Sequence, residues 1–229
     1  MGKKPLREPI VLVSTRQLAD TALACAVSSD TLPIYHQVAR WMTSYLMTSH
    51  RDLGRPGEVC PFTARAHRFD TIRIGVSSAA SGDIAVIEKD MEEVLRQFAD
   101  IVCDQTTKHL RTVVVGFPNL DGDNGMAALK AAQDHLKLRC LWRGMMIGRF
   151  HPASNDRGLW NRDFRPMRSP IPLLAIRHLV RNDAAFALRN PVLLAAYLCR
   201  YSFSAPKQLL VNFAKQRARR EARLRHGLD

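Results

Sequence analysis

Lysine is scarce in this chain, aromatic residues make up only 7% of it, and no apolar run approaches a membrane span. Uninterrupted apolar stretches such as Ile10-Val11-Leu12-Val13 and the Thr112 to Phe117 region fall far short of the roughly 20 residues a bilayer-crossing helix needs. No secretory leader is expected. Gly2-Lys3-Lys4 is basic, but Pro5-Leu6-Arg7-Glu8-Pro9 stands where a leader would be continuously apolar. The expectation is a soluble, cytoplasmic protein.

Cysteine chemistry is thin as well. The 5 cysteines, Cys25, Cys60, Cys103, Cys140 and Cys199, are scattered and form no C-x-x-C pair. That excludes a disulfide framework and a cysteine-rich zinc site, and predicts mostly buried, reduced thiols. Neither G-x-G-x-x-G nor G-x-x-x-x-G-K-[ST] follows any strand, so dinucleotide and P-loop sites lack support. G-x-S-x-G and H-E-x-x-H are missing too. The Asp121-Gly122-Asp123-Asn124-Gly125 turn lacks the ligand pattern of a calcium loop and reads as a turn with a helix cap.

What the chain does have is positive charge. It carries 34 Lys and Arg against 21 Asp and Glu, a net +13, and most of the basic residues are arginine. Arginine suits planar, two-point contacts with carboxylate or phosphate, so an anionic partner is expected. The 229 residues are 46% hydrophobic and 24% charged, the composition of an ordinary globular chain. One domain over residues 1–205 is predicted, with a mobile start and a basic helix over 206–229.

Hydrophobic spacing supplies the elements. Ile10 to Val13 reads as a short strand or docking segment, and Leu18 to Val27 and Ile34 to Met47 read as helices. Ile72, Ile74 and Val76 alternate with Thr71, Arg73 and Gly75 as in a strand. Ile84, Ile87, Met91, Val94, Phe98 and Ile101 recur at helical spacing after Ser81-Gly82-Asp83. Thr112 to Phe117 is a β-branched strand candidate, followed by a helix from about Gly125 to Leu141 and strands over Met145–Phe150 and Pro172–Arg177. Asp183 is positioned to cap a helix through Leu188, and Pro191 to begin another through Tyr201. Few strands interleaved with helices predict an α+β domain with a small mixed or antiparallel sheet packed with several helices, rather than a doubly wound parallel sheet.

The stretch from Gly148 to Pro170 stands out. It holds little periodicity, yet Leu159, Trp160 and Phe164 need a surface to cover, and from Arg139 to Arg181 arginine far outnumbers acid. His151 heads it, just after a strand and before Pro152. A neutral imidazole there can bind a metal or haem iron or move a proton; hydrogen bonding to the loop backbone is the plainer reading. Cys60-Pro61 can present a thiolate to haem iron or be a buried thiol. Lys207 to Arg225 forms a basic stretch with an apolar stripe only in its first half, which fits a solvated face, RNA or an anionic membrane.

Two of these stretches carry a resemblance. Val59-Cys60-Pro61-Phe62-Thr63-Ala64-Arg65-Ala66 with the strand after it resembles the C-[PV]-F opening of YqcI/YcgG-like proteins. Gly148-Arg149-Phe150-His151-Pro152-Ala153-Ser154 is similar to their G-x-H-P-x-S segment, and Asn190-Pro191-Val192-Leu193 to a following N-P-[ML] element. The order agrees over about residues 54–200, although Asn155 to Asn161 replaces the arginine-rich run of those proteins. A nearer resemblance is to an uncharacterised bacterial domain family with R-P-G-x-V-C-P-F and G-L-W-N-x-x-F-R-P, found with biosynthetic enzymes. The YqcI/YcgG-like relatives include haem-dependent enzymes that hydroxylate nitrogen on guanidino amino acids.

The resemblance therefore implies haem b with His151 as axial ligand and Cys60 near the pocket. Arg149, Arg157, Arg162, Arg165 and Arg168 would bind propionates or a substrate carboxylate, and Trp160 and Phe164 would cover the porphyrin. Three functions follow as expectations. The first is a haem-dependent oxygenase-like enzyme acting on nitrogen of a small amino or guanidino compound in specialised metabolism. The second is a non-haem enzyme that binds an anionic, carboxylate-bearing substrate by the arginine-rich loop. The third is a nucleic-acid- or partner-binding protein using the basic tail. A homodimer is compatible with all three.

Overall fold

A computed structural model of the chain describes residues 9–19, 27–80, 83–188 and 191–201, and in the tail 210, 211, 213, 214, 217, 218 and 221. Five strands form one mixed sheet: β1 (Val13–Ser14), β2 (Ile72–Val76), β3 (Thr112–Gly116), β4 (Met145–Phe150) and β5 (Leu173–His178), in the order β1-β2-β3-β5-β4. The helices are α1 (Leu32–Trp41), α2 (Thr63–Arg68), α3 (Ile84–Gln97), α4 (Gly122–Trp142), α5 (Ala184–Ala187) and α6 (Pro191–Arg200). This is the expected α+β fold with a small mixed sheet.

Sequence alternation decides the layering. In β3, Val113 and Val115 join the apolar core beneath α3 and α4, whereas Val114 points into the core beneath α1 and α2. Both faces are covered, so the strand is apolar throughout. Helix α3 brings Ile87, Met91, Val94 and, just past its end, Phe98 to the first core, all essentially inaccessible to water. Each such side chain contributes about 1.5–3 kcal/mol by leaving water. Asp83 caps this helix by accepting a hydrogen bond from the Val86 N–H at 3.1 Å, as its place before the apolar run predicts.

Several boundaries differ from the sequence reading. Helix α1 widens into a π-helical turn over Met42–Leu46 instead of running straight to Met47. The turn after Pro61 becomes helix α2. Most of the helix expected over Leu18 to Val27 lies outside the described residues, as does Cys25, and the described tail positions are helical and exposed. Of the other cysteines only Cys140 is buried, where burial pushes its thiol up to about 11; Cys60 and Cys103 are half-buried and Cys199 is exposed. Thiol burial was therefore overestimated, because Cys60 sits at the edge of the packing and Cys103 in an irregular stretch. Among the described residues no helix is long and apolar enough to cross a membrane.

Topology sets where a site can form. Strands β2 and β3 are parallel, and β5 is antiparallel to both β3 and β4. Hence β2, β3 and β4 point the same way and their carboxyl ends share one rim. Ligands of open α/β sheets bind at such rims.

Candidate functional site

The rim is stitched by backbone hydrogen bonds. The Ser77 N–H donates to the Gly116 carbonyl (2.8 Å), the Phe117 N–H to the Pro172 carbonyl (2.9 Å), and the His151 N–H to the Met167 carbonyl (3.2 Å). Phe150 pairs with Leu173, so the loop over residues 151–172 leaves and re-enters the sheet at this rim. Beside it, Ser77 donates through Oγ to Oδ2 of the buried Asp90 at 2.5 Å and accepts from the Ala79 N–H at 3.0 Å.

The loop is a built structure. Phe164 is buried, with its ring 4.8 Å from that of His50 and 6.4 Å from that of Tyr45. Trp41 Nε1–H donates to the Arg168 carbonyl (3.1 Å), Tyr45 O–H to the Arg165 carbonyl (3.3 Å), and Asn161 Nδ2 to the Asp52 carbonyl (2.8 Å). Burial raises the pKa of the Tyr45 hydroxyl, and the positive charge of Arg168 opposes that rise. Gly54 lets this packing close: its φ is +75°, and a Cβ there would lie 2.9 Å from the Trp160 carbonyl oxygen. The R-P-G turn and the G-L-W-N stretch are thus parts of one joint.

His151 sits at the start of this loop, half-buried. Its Nδ1 is shut off from water and has no hydrogen-bond partner among the described residues, and the same holds for Nε of Arg149 two residues before it. Strand alternation puts Arg149 on the α4 side with Met145 and Ile147; the Asp134 carboxyl on α4 is lowered chiefly by its hydrogen bond from Lys130, with Arg149 a minor contributor. Burial lowers the His151 pKa, Arg149 lowers it further, and Asp156 pulls it partly back. The imidazole is therefore neutral at pH 7 and has both an acceptor and a donor nitrogen.

The other residues implied for a haem site lie elsewhere. Phe164, Arg165 and Arg168 belong to the α1 side. Arg165 Nη1 donates to the carbonyls of Arg162 (2.5 Å) and Phe164 (3.3 Å), and Arg168 Nε donates to that of Ser154 (3.2 Å). Cys60 packs at the edge of the same α1-side core, its N–H donating to the Leu46 carbonyl at 2.9 Å. Arg157 and Arg162 are exposed, and Trp160 is half-buried.

His151, with a buried and unpartnered nitrogen, fits an axial ligand. The set as a whole does not fit a porphyrin in this conformation, because Phe164 is committed to Tyr45 and His50 and Cys60 to the turn after α1. Among the described residues, no three His, Cys, Asp or Glu side chains converge as a metal-holding group.

The chain matches the family described as a domain of unknown function, DUF6875, over residues 35–212. It belongs to that family. No curated protein and no solved structure matches it. The DUF6875 match runs from α1 to the tail and takes in both the R-P-G turn and the long loop.

One feature of this DUF6875 domain was misread in the sequence. Asp183 does not act as a simple cap for α5: it precedes that helix in a 3-10 turn, and its carboxylate accepts from both Nη atoms of Arg177 and from the Val180 N–H. The Ser77–Asp90 pair was also missed. An Asp at a helix position that otherwise belongs to the apolar stripe, between Ile87 and Val94, was its only signal in the sequence.

Proposed function

We propose that the protein is a small-molecule enzyme whose reaction centre is the rim at the carboxyl ends of β2, β3 and β4, with a carboxylate-bearing amino compound as substrate. The observation that carries this reading is the pair of buried, unpartnered nitrogens, Arg149 Nε and His151 Nδ1, two residues apart on β4 and its exit. Each unsatisfied buried polar atom costs about 1–3 kcal/mol, a cost that a bound carboxylate would remove. Arg149 then holds the carboxylate by a charge-assisted hydrogen bond. The neutral His151 ring takes or gives a proton at the adjoining substrate atom. The choice of an amino compound rests on the resemblance to the YqcI/YcgG-like proteins.

The test is a titration of the intact protein with amino acids and simple carboxylates, followed through the His151 ring resonances. Saturable shifts are expected, lost in Arg149→Met. Ring resonances indifferent to every carboxylate up to tens of millimolar would remove the proposal.

A second reading has one specific support, since the same unpartnered His151 nitrogen suits an axial ligand. On that reading the protein is a haem-dependent oxygenase, and bound haem b would supply oxygen activation. Haem added to purified protein then produces a Soret band that His151→Ala abolishes. A spectrum equal to that of free haem leaves only the first reading.

A further inference from the structure

Away from the rim, the outer face of α1 carries a groove made of two cavities. One, of about 550 Å³, is lined by Ser29, Leu32, Pro33, His36, Gln37 and Arg40. The other, of about 390 Å³, is lined by Leu18, Ala39 and Thr43 together with Thr15 and His67. His36 and Arg40, one helical turn apart on α1, stand in the walls of both, so the cavities are continuous.

Leu18, Leu32, Pro33 and Ala39 give the groove apolar walls, while the guanidinium of Arg40 and the imidazoles of His36 and His67 project into it. Among the described residues none of these three side chains has a hydrogen-bond or ion-pair partner. Thr15, at the exit of β1, also lines the groove.

We propose that this groove is a second ligand site, distinct from His151, that takes a small organic oxyanion with an apolar body. The oxyanion, a carboxylate or a phosphate monoester, lies against Arg40 with the two imidazoles as further donors. The apolar body lies along Leu18, Leu32 and Ala39. The polarity of the ligand follows from the donor set, since Arg40 has no acceptor capacity and no carboxylate of the described residues neutralises it.

The test uses octanoate, octyl phosphate and octanol with the full chain, read by the His36 and His67 ring resonances. The titration is repeated in Arg149→Met, which removes carboxylate binding at the rim, so failure of this site stays distinguishable from failure of the rim. Either anion is expected to shift both rings saturably in both chains. Arg40→Met, a change at an exposed position, is expected to weaken that binding about tenfold, the cost of one charge-assisted hydrogen bond. Octanol binding as tightly as the anions, neither anion binding, or Arg40→Met binding like the parent chain would each overturn the proposal.

Discussion

Arg177 grips Asp183 at two points, with Nη1 2.9 Å from Oδ2 and Nη2 2.6 Å from Oδ1. The Asp183 side chain is 1% exposed, and the guanidinium also lies 5.0 Å from the Phe62 ring centroid. The pair ties β5 to the turn that starts α5, while the Cys60-Pro61-Phe62 turn covers it.

Removing one partner strands the other charge, a change that costs about 3–5 kcal/mol at buried sites. Asp183→Ala is therefore expected to lose that much in urea unfolding. The double variant Arg177→Met with Asp183→Leu should recover most of the loss, since well-packed apolar replacements of buried pairs are often neutral. A single variant as stable as the parent would show that the pair is spread open in solution.

The elements with strong periodicity were legible in the sequence. Helix α3 announced itself through Ile87, Met91, Val94 and Phe98, and β3 through Val113-Val114-Val115. Strand order was not legible, because nothing local says that β5 inserts between β3 and β4. That Cys60 lies near the His151 pocket was implied by the resemblance alone. In the fold His151 follows Phe150, opposite Leu173, whereas Phe62, two residues after Cys60, packs on Arg177, four residues or about 13 Å further along β5. Asp183 was misread for a similar reason. Its partner Arg177 lies across a chain turn, and an aspartate before a helix looks like a cap when its surroundings are unknown.

His178 predicts an acid-sensitive fold. Burial, then the charges of Arg200 and Arg111, push its pKa from 6.5 to about 4, against a hydrogen bond with the Gly144 backbone that pulls it back. The folded state holds the ring neutral, so between about 6.5 and 4 the unfolded chain binds more protons. The contribution is fully present above 6.5 and drains away as pH falls toward 4. Replacing His178 with Phe should flatten that part of the stability profile while leaving the limb above pH 7 parallel to the parent. Urea unfolding at a series of pH values measures this, and identical slopes in the two proteins would contradict it.

Gly54 joins the R-P-G turn to the long loop at a left-handed backbone position, against the rigid Trp160 carbonyl. Gly54→Ala meets both a φ penalty and a backbone clash, for which about 1–3 kcal/mol is the expected loss. The loop should loosen with it. Faster amide exchange at Gly158, whose N–H donates to the Phe164 carbonyl at 2.8 Å, is the local readout. Unchanged exchange there would mean that the two segments are not coupled through this contact.

Phe164 separates two views of the loop. If its ring is core, as its packing against Tyr45 and His50 indicates, Phe164→Ala leaves a cavity and costs about 3–5 kcal/mol. Phe164→Leu, which keeps most of the volume, should then cost less than about 1.5 kcal/mol. If the ring instead swings out to cover a macrocycle beside His151, the alanine variant loses little stability and its defect appears in haem affinity. Unfolding of both variants with and without haem distinguishes the cases. A large loss of stability that is the same in both conditions assigns Phe164 to the core and leaves the rim to Arg149 and His151.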